Sequence, residues 1–370
     1  MRAMVGAAIF SAAMLFQGTA YAASAEEGVA LAKAAVDAHR AKPQFTPPGP
    51  PFDIKACAAG KKMLSIPNNS GNPFLKGIIE RESRARADTG LEVQEWQNQG
   101  QPSQWVQGME YAVKNKFTMV DLISGIDPKV IEPQIKAANA AGVKVFASHF
   151  YDPSQPVNPN IAGSLAIGFN AVGKLLADWT IAKTNGKANV IIIRTDEVPP
   201  TDPLTRGIAD EFAANCPGCK IVQQINVGIA EWGTKIQPSV QAALLANPTV
   251  NYVIPIYDSM SQFVVPAIAL TGKAATVKIA TFNGTPFVLD YIQQGKVEMD
   301  IGESLDWIAR ATVDGYLRAL CGQQMPKELN VPFYIFDSSN VKDAGTPAGF
   351  DKGYGTEYLE GFRKLWTVAK

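Results

Sequence analysis

KMLSIPNNSGNPF, residues 62–74, decides the fold. The apolar run Met63, Leu64 and Ile66 reads as a short strand, and the Pro/Asn/Gly stretch after it as a loop. Asn72-Pro73-Phe74 then opens a helix expected over 75–88, with proline in its first turn. Strand, loop and helix in that order form a βα unit. In open α/β sheets, ligands bind outside the carboxyl ends of the strands. The loop is therefore a candidate lip of a binding cleft; without a ligand it is an ordinary βα connection.

The same rhythm runs outward from this unit. Strands are expected over 91–96, 119–124 and 143–148, with helices over 102–115 and 128–141 between them. Gly142 stands at the C-cap of the second helix. YDPSQPVNPN, residues 151–160, interrupts with three prolines and turn residues. The alternation then resumes, with helices over 170–183, 201–215, 234–246, 259–270, 286–294 and 305–320. Between these helices strands are expected over 189–194, 221–226, 252–256, 277–282 and 297–301, with a last one over 331–336. The β-branched run at 189–194 is typical of a strand buried on both faces. Alternating βα units imply parallel sheets with helices on both faces, and two such runs imply two similar halves.

The chain has 370 residues, 46% hydrophobic and 18% charged, with a formal net charge of zero. That length suits about two domains. The charge balance is that of a soluble globular protein and gives no basic excess for nucleic acid. The first 22 residues read as a secretory signal: Arg2, a short apolar run over 5–16, and Ala20-Tyr21-Ala22 as an A-x-A cleavage site. An uncleaved anchor is the alternative reading. Residues 24–42 suit a short amphipathic helix, and 43–52, PQFTPPGPPF, an extended arm. The tail holds an aromatic amphipathic helix with Tyr358, Phe362 and Trp366, expected to pack on the surface of the fold.

An exported chain meets an oxidising compartment, so its four cysteines are expected to pair. Cys216-Pro-Gly-Cys219 lies between a helix and a strand, the reverse of the redox-active context, and reads as a turn clipped by a local disulfide. Cys57 and Cys321 remain; paired, they would tie the entry of the first strand to the end of a late helix. His39 and His149 have no zinc-ligand spacing to a cysteine. The sequence has no Walker A, GxGxxG, HExxH or GxSxG motif. His149 as a general base would have no visible nucleophile, so no catalysis and no cofactor are expected.

Two stretches together carry a resemblance. Asn72-Pro73-Phe74 follows the first strand, and Ile279-Ala280-Thr281-Phe282-Asn283-Gly284-Thr285-Pro286 is followed by Gly295-Lys296-Val297. They resemble the N-P-F and G-F-D-G-T-P…G-K signatures of ribose-type periplasmic sugar-binding proteins, the type I substrate-binding proteins of ABC importers. Arg206-Gly207 and Ala246-Asn247-Pro248-Thr249 keep the register between them. The resemblance covers about residues 61–340.

It implies two Rossmann-like α/β lobes with parallel sheets, hinged by three crossings, with ligand held between them. On this chain one lobe would be 57–168 plus 304–330, and the other 169–303 plus 331–343. Residues 23–56 and 344–370 would be extensions. Cys57 and Cys321 then fall in one lobe, which makes their pairing plausible. The implied role is a periplasmic receptor that delivers a small molecule to an ABC permease by hinge closure, acting as a monomer. A ligand sensor for a chemoreceptor or sensor kinase shares every feature. A LacI-type repressor core shares the fold, but the signal segment and the missing helix-turn-helix before Cys57 count against it.

The implied ligand residues transfer in part. Asn72 and Phe74 match the family's amide and stacking aromatic, and Trp232 its aromatic in the second lobe. Leu75 stands for a second phenylalanine. His149-Phe150 stands for an Asp-Arg pair, and Leu204 for an arginine. Tyr257 stands for the asparagine beside a retained Asp258, Asn283 for an aspartate, and Glu303 for a hinge glutamine. Arginine and carboxylate forks hold polyols, so losing them points toward an aromatic slot with few polar anchors. Asn72, His149, Asp258, Asn283 and Glu303 would supply hydrogen bonds, and Phe74, Phe150, Trp232 and Tyr257 walls. A pyranose stacked on Trp232 and a flatter, less hydroxylated or aromatic ligand both fit.

Overall fold

The computed structural model describes residues 24–366 except Gly125. The expected signal segment lies outside the described residues. The strands form two sheets. The first contains β1 (Lys62–Pro67), β2 (Glu92–Glu95), β3 (Met119–Ile123), β4 (Lys144–Ser148) and β5 (Gly163–Leu165). Their order is β2-β1-β3-β4-β5, and every pairing is parallel. The second contains β6 (Asn189–Arg194), β7 (Lys220–Asn226), β8 (Tyr252–Pro255), β9 (Lys278–Asn283), β10 (Met299–Gly302) and β11 (Tyr334–Asp337). Its order is β11-β10-β9-β8-β6-β7.

Local chemistry explains these elements. In β6 the run Val190–Ile193 is fully buried, because helices cover both faces of the sheet. Burying each such side chain is worth about 1.5–3 kcal/mol. The helix after β1, Pro73–Arg84, starts where Asn72 Oδ1 accepts the Phe74 and Leu75 amides at 2.9 and 3.4 Å. In the second lobe Gly173 lets the helices Phe169–Thr184 and Thr201–Asn215 touch, since a Cβ there would strike the Leu204 backbone.

The chain passes between the sheets three times: after β5, after β10 and before β11. Two crossings are bonded together, with Ala166 N donating to Lys327 O and Leu329 N to Ala166 O, both at 2.9 Å. The helix Leu305–Leu320 packs on Pro73–Arg84 beside the first sheet, whereas Phe169–Thr184 packs on Thr201–Asn215 beside the second. This is the type I two-lobed architecture, with parallel sheets but for one edge strand.

Several local expectations are corrected. The last strand is β11, antiparallel to β10, because the chain reaches it from the other lobe and not through its own βα crossover. The helix expected over 128–141 starts only at Glu132: Asp127 accepts the Lys129 amide at 2.9 Å and holds a turn there. β5 forms just past the proline-rich interruption, where no strand was expected. The tail helix Glu357–Leu365 packs on the body by its aromatic face, as expected: Tyr358, Phe362 and Trp366 are buried.

Both extensions are structured. The helix Ala25–Ala38 packs on Phe169–Thr184 and Thr201–Asn215. The Pro-rich arm then reaches the other lobe, where Phe45 lies 5.8 Å from Trp307 and 5.0 Å from Phe362. The disulfides join Cys57 to Cys321 and Cys216 to Cys219, each with Cα atoms 5.3 Å apart.

Candidate functional site

The carboxyl ends of both sheets face one cleft. From the first lobe come Asn68 and Asn72 after β1, Phe74 and Leu75 on the following helix, Ser124 after β3 and His149 after β4. Across the cleft, Phe169 sits at the first crossing, and Val198 and Pro200 follow β6. Ile229 and Trp232 follow β7, Tyr257 and Ser259 follow β8, and Asn283 ends β9. The walls meet closely, leaving about 30 Å³. Small-ligand pockets usually hold roughly 300–1,000 Å³, so a ligand requires the lobes or side chains to part. A larger cavity, about 890 Å³, lies elsewhere, between the Pro-rich arm and the tail helix. It is a surface groove far from the strand ends, and the cleft is the site favoured by the fold.

His149 is the central polar group. Its backbone is left-handed, φ 50°, as is Ser124 at φ 47°, while Asn283 has φ 146°. Non-glycine residues in such conformations cluster at functional sites. His149 Nε2 lies 2.6 Å from Glu303 Oε1. Its ring is 5.2 Å from Phe74 and 5.4 Å, edge on, from Phe169. Asn283 Nδ2 donates to the same Glu303 oxygen at 3.4 Å.

The opposite wall is aromatic. Trp232 and Tyr257 stack with centroids 6.4 Å apart and planes inclined by 22°. Trp232 Nε1 donates to Thr195 Oγ1 at 3.0 Å and Val227 O at 3.2 Å, which fixes the ring. The Tyr257 hydroxyl pairs with Thr201 Oγ1 at 3.1 Å, and burial raises its pKa, so it stays neutral.

Asp258 lies one layer behind this wall. It accepts the Thr285 amide at 2.6 Å and its hydroxyl at 2.8 Å. Burial pushes its carboxyl up to about 7. Burial, then the charge of Asp258, holds Asp300 well above the usual carboxylate range. Asp300 in turn accepts the Gly284 amide at 3.1 Å. This acidic pair shapes the β9 loop without lining the cleft.

The structure thus brings Asn72, Phe74, His149, Trp232, Tyr257 and Asn283 together at the cleft surface, with Asp258 and Glu303 directly behind. Phe150 is elsewhere. Past the end of β4, where the His149 backbone turns left-handed, Phe150 packs into the outer core and not the cleft, 4.6 Å from Tyr151. Leu204 is likewise interior, buried where two helices meet. The sequence reading missed Asn68, Ser124, Phe169, Val198, Pro200, Ile229 and Ser259 as cleft residues. Among the described residues no cluster of three or more His, Cys, Asp or Glu side chains could hold a metal ion.

Two hinged α/β lobes with a neutral, aromatic-walled cleft at their strand ends define a solute-binding protein. The chain belongs to the periplasmic binding protein domain family, whose profile matches residues 64–324. It is a binding protein and not an enzyme. The fold is shared with the 5-methylthioribose transporter solute-binding protein of Thermotoga lettingae, solved with 5-methylthioribose. That structure is 18% identical, with TM-score 0.71, over 86% of this chain and 97% of that one. An ABC transporter solute-binding protein of Agrobacterium vitis, bound to allitol, is 18% identical, with TM-score 0.69, over 78% and 99%. The Caulobacter myo-inositol binding protein, bound to myo-inositol, is 18% identical, with TM-score 0.67, over 77% and 96%. No curated protein matches the chain.

Proposed function

We propose that this protein is an exported periplasmic receptor that binds a small, sugar-like molecule and presents it to an ABC import permease. The carrying observation is the cleft itself: both sheets end on it, and Trp232, Tyr257 and Phe74 wall it. Asn72, His149 and Asn283 hydrogen-bond the ligand, while Glu303 orients His149 and Asn283 from behind and Asp258 holds the β9 loop through Thr285. The hinge lies at residues 166–168, 303–304 and 328–331, and ligand closes the lobes about it. The extensions outside residues 57–343 brace the lobes. The relatives named above bind allitol and myo-inositol, which are polyols, and 5-methylthioribose, in which a methylthio group replaces a hydroxyl. This chain's aromatic walls suit the less hydroxylated end of that range.

A thermal-shift screen of the mature chain tests this. A ligand at a hundred times its dissociation constant stabilises by about 2.7 kcal/mol. The expected hit shifts the melting point of the unaltered chain, and Trp232→Ala removes the shift while the chain keeps its fold. A hit untouched by Trp232→Ala would place binding outside the cleft and overturn the reading.

A further inference from the structure

The tail extension reaches the underside of the cleft through one residue. Tyr354 lies between Gly353 and Gly355, whose left-handed backbones, φ 93° and 82°, turn the chain sharply on either side of it. It is 2% exposed, and its ring stands edge-on to Phe336 and Tyr334 of β11, with centroids 5.3 and 6.0 Å away. This packing fixes the ring and leaves the hydroxyl directed at the ends of β9 and β10.

That hydroxyl ends against two glycines. A Cβ at Gly302, the last residue of β10, would strike it, and so would one at Gly284, just past β9. Among the described residues no protein group hydrogen-bonds it. Burial, then the charges of Asp300 and Glu303, hold its pKa above the usual tyrosine range, so it keeps its proton. Both glycines adjoin the polar centre of the cleft. Gly302 pairs with Asn283 in the sheet and precedes Glu303, while Gly284 follows Asn283. Glu303 N donates to Asn283 O at 3.4 Å. Asn283 Nδ2 and His149 Nε2 then converge on Glu303 Oε1.

We infer that Tyr354 is a positioning residue for the cleft: its hydroxyl wedges the ends of β9 and β10 and so sets where Glu303 and Asn283 meet His149. Protein interiors are close-packed and transmit small displacements. Losing one oxygen behind two residues without side chains lets Gly302 and Gly284 settle into the space it held. The adjoining Glu303 carboxylate then shifts against the His149 ring. This role rests on the receptor reading above for the identity of the cleft as the binding site. It makes the tail a working part of that site as well as a brace outside it.

The test needs no ligand. The chain has two histidines, His39 and His149. The untagged mature chain, labelled with nitrogen-15 histidine, therefore gives two sets of ring signals in NMR, assigned with His39→Gln. Tyr354→Phe keeps the ring and its packing on β11 and removes only the hydroxyl. In that variant the His149 signals should move, those of His39 should stay in place, and the melting point should change little. Tyr252→Phe is the comparison. It removes another buried hydroxyl of the same lobe, one bonded to Glu298, and should lower the melting point without moving His149. His149 signals that stay in place in Tyr354→Phe, or that move as far in Tyr252→Phe, overturn the inference. Neither result bears on the receptor reading, which stands or falls on the loss of the ligand-induced melting shift in Trp232→Ala.

Discussion

His149 Nε2 and Glu303 Oε1 lie 2.6 Å apart, joining the end of β4 in one lobe to the crossing after β10 in the other. Both side chains are buried, and Glu303 also takes the Asn283 amide. Removing Glu303 therefore strands two buried donors. A buried group left unpaired costs about 1–3 kcal/mol. Glu303→Ala should lower urea stability by that amount, and Glu303→Gln, which keeps an acceptor, by clearly less. Equal losses in the two variants would show that the carboxamide oxygen cannot replace the carboxylate here.

Three buried carboxyls make stability depend on pH. Asp121 is pushed up to about 6, Asp258 to about 7 and Asp178 to about 8, burial being the largest cause in each. For Asp178 the charge of Glu211 adds to burial. Unfolded aspartates titrate near about 3.9. Between those values and the native ones, the folded chain holds more protons than the unfolded chain, so stability falls as pH rises. The contribution is complete below about pH 4 and gone above about pH 8. Melting points should decline from pH 5 to 8.5, and Asp178→Asn should flatten the upper part of that decline. A chain more stable at pH 8 than at pH 5 would contradict this.

The periodic parts of this structure were legible, and its exceptions were local. The strand 189–194 and the helices 201–215 and 305–320 have the expected bounds: a β-branched run marks the strand, and Ser304 caps the second helix by accepting the Trp307 amide. β5 was hidden beside prolines and glycines, since three residues are too few to show a periodic pattern. In the site, motif positions exposed Asn72 and Asn283. Phe150 was misplaced because adjacency to His149 says nothing about which face a side chain takes. Asn68, Ser124, Val198 and Ser259 belong to no motif, yet each follows a strand's carboxyl end. Taking every such position in turn would have found them.

The two disulfides should differ in worth. Cys57 and Cys321 are 264 residues apart, whereas Cys216 and Cys219 are 3 apart. Constraint of the unfolded chain grows with the loop closed, which gives about 4–5 kcal/mol for a long loop and about 2 for a short one. Cys57→Ser with Cys321→Ser should cost clearly more in guanidinium unfolding than Cys216→Ser with Cys219→Ser. Equal costs would mean that strain or residual unfolded structure, and not loop length, dominates.

The extensions tie the lobes from outside the cleft, and cutting one should loosen both. Arg40, just past the first helix, pairs with Asp337 of β11 and lies over Trp179, on the second lobe. Five residues later Phe45 packs on Trp307 and Phe362, on the first. The tail makes the converse journey. Tyr354 joins the second lobe's outer core, while Asp351 pairs with Arg81 and accepts the Asp306 amide at 2.8 Å. The two extensions meet where Phe52 N donates to Leu365 O at 2.9 Å. Below that contact Arg318 reaches Pro50 O at 2.9 Å and Asp314 at 2.7 Å, and Trp366 Nε1 donates to Asp314 at 2.9 Å. Opening the hinge must therefore stretch or slide this strap. Phe45→Ala removes its main apolar anchor and should cost about 1.5–3 kcal/mol. Deleting residues 24–45 should go further, raising the ligand-free radius of gyration in solution scattering while the ligand-bound value stays put. An unchanged ligand-free radius would show that the strap follows the lobes without restraining them.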